Sequence, residues 1–263
     1  MASSDLPEVE SSENRQSEEE SAIAPSRTET SSDSLCVRFW GVRGSYPVPG
    51  NQTVEFGGNT ACVEVFNGKN RVILDAGTGL IALGNLIMSE KRGLTREHGN
   101  QDEEPLNVTL LLSHTHFDHI QGLPFFEPAF SKSASLFVYG PQLLGVDLHD
   151  SLSQAMTGRN YPVCLEELSS QKLICNLSES EELRFENRNS QPEIVKDENG
   201  KRAHDHNGLL VQVLRSYAHP KDGVLVFKVV FQNKIIVYAT DVEGYAGGDS
   251  RLIEFARDGR MET

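Results

Sequence analysis

Long hydrophobic runs, paired cysteines and tryptophan are scarce in this sequence of 263 residues, which holds one tryptophan and four cysteines. No apolar run approaches the roughly 20 residues that a membrane-spanning helix needs, and the N-terminus lacks the basic-then-apolar pattern of an export signal. The cysteines (Cys36, Cys62, Cys164 and Cys175) show no CxxC spacing. We therefore expect buried thiols rather than disulfides or a cysteine metal site, and a location in the cytoplasm.

Basic residues are also in short supply, with 24 lysines and arginines against 38 acidic residues and a net charge of −14. Residues 1–34 contain ten serines, nine acidic and two basic residues, so the net charge of this segment is −7 and that of the remaining residues is also −7. Because it has few large apolar side chains, we expect residues 1–34 to form a disordered tail. We then expect residues 35–263 to form one folded domain. It has no lysine and arginine cluster to follow a nucleic-acid backbone.

The pattern of apolar residues predicts an α/β domain. The spacing of apolar residues and of turn residues favours a hairpin of residues 223–231 and 234–240 around Gln232 and Asn233. We predict a long surface loop at residues 178–208, with a weak strand near 183–185, and a connecting loop at 97–105. Strands are predicted at 35–40, 61–66, 71–76, 107–113, 135–139, 209–214, 223–231 and 234–240, and helices at 79–90, after His119, at 143–156 and at 250–256.

The most informative motif is His114-Thr-His116-Phe-Asp118-His119, which follows the apolar run of residues 106–112. His114 and His116 are two residues apart, so on an extended segment they face the same side and can bind one ion. Asp118 and His119 fall where the chain turns into a helix and point to a second position nearby. Imidazoles with a carboxylate suit zinc, and also manganese or iron, better than calcium or magnesium.

The run SHTHFDHIQGLPFF at residues 113–126 resembles the HxHxDH signature of the metallo-β-lactamase superfamily, in its ribonuclease Z and cyclic-phosphodiesterase-like branch. The segments RFWGVRGSYPVP (38–49), FGGNTACVEV (56–65) and VILDAGTGLIALG (72–84) resemble bacterial proteins of that branch. The resemblance covers roughly residues 35 to 258. It implies a four-layer αββα sandwich, in which the Asp75-Ala-Gly turn supports a metal pocket.

The resemblance also implies further ligands outside the motif. His219, in a Tyr-Ala-His-Pro context, matches the third imidazole of the first metal position, and Asp241 matches the carboxylate that bridges both metals. The family's last histidine has no counterpart, because no histidine follows Asp241. We therefore expect a sandwich that is incomplete at the C-terminus. Its first position would hold His114, His116, His219 and Asp241, and its second only Asp118, His119 and Asp241.

These observations favour a metal-dependent hydrolase with two divalent ions, most simply zinc, that acts on a small phosphodiester such as a cyclic nucleotide through a metal-activated hydroxide. Asp118 would also orient that hydroxide. The acidic charge disfavours structured RNA, although a ribonuclease of the tRNA 3′-processing type remains an alternative. So does a catalytically weak metal-binding protein of the same fold. We expect no membrane partner, and a homodimer is left open.

Overall fold

The computed structural model describes residues 34–98, 105–159, 161, 163–186, 190–196, 208–219, 223–244 and 246–257. The tail predicted for residues 1–34 lies outside these residues except for Ser34. Residues 99–104 of one predicted loop and 197–207 of the other also lie outside them, and the latter include His204 and His206. Within the described part, no helix is both long and apolar enough to cross a membrane.

The first sheet has six strands in the order β1-β2-β3-β4-β5-β6. β1 to β3 pair antiparallel, whereas β3 to β6 pair parallel. The parallel pairing of β3 with β4 requires a crossover, which the helix α1 (Gly79–His98) supplies. The strands are β1 (Cys36–Gly41), β2 (Cys62–Phe66), β3 (Arg71–Leu74), β4 (Leu106–Leu111), β5 (Ala134–Gly140) and β6 (Gln171–Asn176).

The second sheet has five strands in the order β11-β10-β9-β7-β8, all antiparallel. Its centre is the pair β9 and β10, in which seven of eight residues of each strand are buried. The strands are β7 (Glu181–Phe185), β8 (Glu193–Lys196), β9 (Leu209–Ser216), β10 (Val224–Phe231) and β11 (Lys234–Tyr238).

The two sheets pack face to face with helices on the outside. Val65 and Leu111 of the first sheet share a buried cluster with Val211 and Phe227 of the second. On the outer face of the first sheet, α1 and α3 (Leu148–Ala155) bury a second cluster, and α4 (Ser250–Ala256) covers part of the outer face of the second sheet. The short helix α2 (Phe117–Ile120) lies at the end of the sandwich. The predicted αββα order of layers is confirmed.

Several predicted elements are confirmed and others were wrong. The hairpin around Gln232 and Asn233 is formed by β10 and β11, and α4 has the predicted bounds. The predicted loop at residues 178–208 contains β7 and β8, and β6 was not predicted. β7 contains the weak strand that was predicted near 183–185. β6 and β8 were missed because half of their side chains are polar and, at the sheet edges, none of their residues is buried.

Three helices differ from their predictions. In place of a helix after His119, the chain forms α2, which contains His119 and ends at Ile120. α1 continues to His98, and five of residues 89–98 are Glu, Lys or Arg, which favour a helix. α3 begins at Leu148 instead of residue 143. Leu144 and Gly145 have positive φ angles of 51° and 76°, which no helix accommodates, and the side-chain oxygen of Asn176 accepts the backbone N–H of Leu148.

The four cysteines are free, as predicted. Only Cys62 is buried, whereas Cys36, Cys164 and Cys175 are partly exposed, so the expectation of buried thiols was wrong for these three.

A buried charge holds the antiparallel half of the first sheet together. Glu64 on β2 is fully buried and accepts hydrogen bonds from Trp40 Nε1 at 2.9 Å and Arg38 Nη1 at 3.3 Å. Arg71 on β3 lies with Nε 2.7 Å from the other carboxylate oxygen. Through its Nη2, Arg71 also binds the exposed Glu90 of α1 at 2.8 Å. Glu64 therefore ties β1, β2 and β3 to one another.

We predict that Glu64→Ala lowers the free energy of unfolding by about 3 kcal/mol, because it leaves the two arginines and the indole without their buried partner. Glu90→Ala is the matched control, since it also removes a carboxylate from Arg71 but at an exposed position, and should cost less than about 1 kcal/mol. Urea unfolding followed by circular dichroism measures both. Equal losses for the two variants would show that the buried network does not stabilise the sheet.

Candidate metal centre

The residues predicted to bind metal come from loops that follow three strands and from the short helix α2, at one end of the sandwich. His114 and His116 follow β4, His219 follows β9, and Asp241 follows β11. Asp118 and His119 lie on α2. The two sheets meet here, because the backbone N–H of Leu225 on β10 donates to the carbonyl oxygen of Ser113 at 2.8 Å.

Four imidazole rings converge in this cluster. The ring centroid of His114 lies 4.5 Å from that of His116, 4.2 Å from His119 and 4.9 Å from His219. His219 and His116 are also close, with Nε2 of the former 3.1 Å from Nδ1 of the latter. His114, His116 and His219 can each direct a nitrogen to one position, since all these atoms lie within 4.8 Å of one another.

Asp241 brings a carboxylate to the same cluster. Its Oδ2 lies 3.1 Å from His119 Nε2 and 3.5 Å from His114 Nε2. His114, His119 and Asp241 therefore form a second group whose donor atoms lie within 4.8 Å. Asp241 has a positive φ of 54°, a conformation that costs a non-glycine residue energy and recurs at functional sites.

Asp118 lies at the edge of the cluster. Its Oδ2 is 3.5 Å from His119 Nε2 and accepts the backbone N–H of Ser45 at 2.6 Å. Asp118 belongs to neither of the two groups, and its place beside His119 and Asp241 in the second metal position stays a prediction. The Ser45 N–H holds this carboxylate against the loop that follows β1. One histidine outside the cluster is His149, which is exposed and lies on α3.

Hydrogen bonds from neighbouring polar groups orient some of the predicted ligands, and Asp75 accepts several of these bonds. Its Oδ1 accepts the backbone N–H of Ser113 at 2.7 Å. Its Oδ2 accepts the Ser113 hydroxyl at 2.8 Å, the Tyr238 hydroxyl at 2.7 Å and Nδ1–H of His119 at 2.7 Å. The resemblance pointed to Asp75, but sequence reasoning missed Ser45, Ser113 and Tyr238. Only the place of Ser113 next to His114 offered a local signal.

The chemistry of His114 fits a metal ligand. The Ser113 hydroxyl donates to Asp75, so at the 3.0 Å contact between Ser113 Oγ and His114 Nδ1 the imidazole is assigned as the donor. Burial, followed by the charge of His119, lowers the pKa of His114 to about 4, so the ring is neutral at pH 7. Its Nε2 then carries a lone pair that faces the cluster, and this buried atom has no hydrogen-bond partner. A divalent ion is the natural occupant.

His119 shows the complementary property. Burial acts to lower its pKa, but the charge of Asp75 and the hydrogen bonds to Asp241 and Asp75 outweigh it and raise the pKa to about 10. The hydrogen bond from His119 in turn lowers the pKa of Asp241 to about 2. Without an ion, a proton thus occupies the space between His119 and Asp241, where a cation bound by both would replace it.

The arrangement can be compared with known proteins. No protein-family profile and no curated protein matches the sequence. Among solved structures, the chain is similar to the metallo-β-lactamase fold protein YhfI from Bacillus subtilis, with a TM-score of 0.48 and 15% identity over 86% of this chain and 69% of that one.

Two further solved structures are similar. The short form of human tRNase Z has a TM-score of 0.40 and 18% identity over 80% of this chain and 71% of its own. A diphosphatase of the PhnP family has a TM-score of 0.41 and 12% identity over 74% of this chain and 62% of its own. The likeness is thus to proteins with the metallo-β-lactamase fold. The predicted sandwich is established by this chain's own strand order, whereas the branch stays a prediction.

We predict that the protein purified from zinc- or manganese-supplemented medium contains divalent metal, and that combining His114→Ala with His116→Ala removes it. Two of the imidazoles of the first group are then absent, and a single histidine holds an ion weakly. His149→Ala, which removes an exposed imidazole outside the cluster, is the control and should keep the metal. Elemental analysis measures the content. A metal-free wild-type protein, or a double variant with unchanged content, would contradict the assignment.

Proposed function

We propose that this protein is a metal-dependent hydrolase that acts on small phosphodiesters. The observation that carries the proposal is the convergence of four imidazoles and two carboxylates around a neutral His114 whose buried Nε2 lacks a partner. In such sites, bound divalent ions would lower the pKa of water and neutralise the negative charge that develops on a phosphoryl group. We propose His114, His116, His119, His219, Asp118 and Asp241 as the residues that hold them.

A serine nucleophile is a competing mechanism, because Ser113, His114 and Asp75 lie next to one another. Their bonds argue against it. Ser113 is fully buried, and its hydroxyl donates to Asp75 rather than to an imidazole. A nucleophilic serine must face the substrate and give its proton to a histidine. Ser113 therefore serves to orient His114, and a hydrolytic reaction at this site needs water as the nucleophile.

Asp118 is the residue we propose to orient that water. Its Oδ2 accepts the Ser45 N–H at 2.6 Å and lies 3.5 Å from His119 Nε2. Because it stands at the edge of the cluster, its remaining acceptor sites are available to a water molecule that approaches the ions. A carboxylate in this position can accept the proton of the attacking water.

Exposed aromatic residues that neighbour the cluster residues along the chain support a substrate that carries a planar group. Phe117 is 58% exposed and lies between His116 and Asp118 in the chain, and Tyr217 is 62% exposed and precedes His219 by two residues. Tyr46 is 66% exposed and follows Ser45, the residue that binds Asp118. Nucleobases stack on such faces, with about 1–3 kcal/mol per base. A cyclic nucleotide would offer both the phosphodiester and the base.

We predict that the zinc- or manganese-loaded protein hydrolyses bis-p-nitrophenyl phosphate slowly. Asp241→Ala should lower kcat/KM at least about 100-fold, because this carboxylate lies within 3.5 Å of both His114 and His119. Asp150→Ala, at an exposed carboxylate on α3, should leave the rate unchanged.

A comparison of substrates tests the class. We expect a higher kcat/KM for a cyclic nucleotide than for a structured RNA with a 3′ extension. A higher kcat/KM for the RNA would indicate that the protein is a ribonuclease. A fully metal-loaded protein that cleaves no phosphodiester would instead show a metal-binding protein without this activity, and a rate that survives Asp241→Ala would refute the role of that residue.

A further inference from the structure

Tyr238 is a polar residue near the cluster that has no role in the proposed mechanism. It is the last residue of β11, in the second sheet, whereas its partner Asp75 follows β3, in the first. The hydroxyl of Tyr238 donates to Asp75 Oδ2 at 2.7 Å and therefore connects the two sheets beside the metal centre. Burial, and then the charge of Asp75, raise the pKa of Tyr238 well above its ordinary value, so this hydroxyl keeps its proton at neutral pH.

The position of Tyr238 relates it to both predicted ligands of the second group. Tyr238 and His119 both donate a hydrogen bond to Oδ2 of Asp75, so this one oxygen links the two side chains. Along the chain, Tyr238 precedes Asp241 by three residues. Asp241 itself lies beyond the end of β11, with a side chain one third exposed, a positive φ and a 3.3 Å contact from the Thr240 hydroxyl. The end of β11 therefore determines where Asp241 stands.

We propose that Tyr238 is a positioning residue that holds His119 and Asp241 in register for the second metal ion. Its hydroxyl fixes the orientation of Asp75, which fixes the ring of His119, and the same bond anchors the strand that carries Asp241. The first group of ligands depends on it less. His114 reaches Asp75 only through the Ser113 hydroxyl, and the rings of His116 and His219 contact each other.

Packing alone does not require a hydroxyl at this position. The ring of Tyr238 packs against the apolar cluster between the sheets, next to Ile236 of the same strand. Phenylalanine would fill that space equally well. A buried hydroxyl is costly without a hydrogen-bond partner, and the partner of the Tyr238 hydroxyl is Asp75, the carboxylate that also binds His119. Loss of this hydroxyl should therefore affect the metal centre rather than the packing of the core.

The test compares Tyr238→Phe with Tyr139→Phe, which also removes a hydroxyl from a tyrosine in the cluster between the sheets. Metal-free protein is titrated with cobalt(II), whose visible absorption follows the binding of each ion, and zinc affinities are measured by competition with a chelator. We expect Tyr238→Phe to weaken the second ion about 10- to 100-fold, the usual effect of losing a group that orients a ligand. The first ion should change less than about threefold, and Tyr139→Phe should alter neither.

Each other outcome would overturn the proposal. Unchanged affinity for both ions would show that the hydroxyl does not act on the metal centre. An equal loss for both ions, or loss of cooperative thermal unfolding in the metal-free variant, would show a general packing role. The inference rests on the metal centre of the proposed function, and its readout is ion affinity. It can therefore fail or hold whether or not the protein cleaves phosphodiesters.

Discussion

The buried carboxylate of Asp75 is the interaction on which the site depends. A charge in the interior is costly unless it is fully hydrogen-bonded, and here Ser113 supplies two donors and Tyr238 and His119 one each. Each donor that satisfies Asp75 is thereby held in place. His119 is oriented directly, His114 is oriented through Ser113, and Tyr238 joins the second sheet to the first. One electrostatic requirement thus fixes two of the candidate ligands, His114 and His119, and the contact between the two sheets.

Close backbone approach lets these parts meet. The turn after β3 packs against α2, and a Cβ on Gly77 would lie only 2.5 Å from the carbonyl oxygen of Asp118. A Cβ on Gly122 would lie 2.1 Å from the carbonyl oxygen of Gly77. Because neither position has room for a side chain, the two glycines allow the turn that carries Asp75 to lie directly beneath the helix that carries Asp118 and His119.

The parts of the fold and of the candidate site that could be predicted from the sequence are those whose residues lie close together along the chain. The spacing of His114, His116, Asp118 and His119 indicates a metal site because four candidate ligands lie within six residues. His219 and Asp241 carry no such local signal, and only the family resemblance pointed to them. Ser45 and Tyr238 reach the site across 73 and 163 residues, so no local pattern marks them. The strands β6 and β8 were missed for a different reason, because they lie at sheet edges and none of their residues is buried.

The central claim is that the cluster binds two adjacent divalent ions, one held chiefly by His114, His116 and His219 and one by His119 with Asp241. The most direct measurement is a crystal structure of the metal-loaded protein with anomalous diffraction recorded at the absorption edge of the metal. The account predicts two anomalous peaks within this cluster, about 4 Å apart, with imidazole nitrogens around the first. No peak there, or ions bound only elsewhere on the protein, would contradict it.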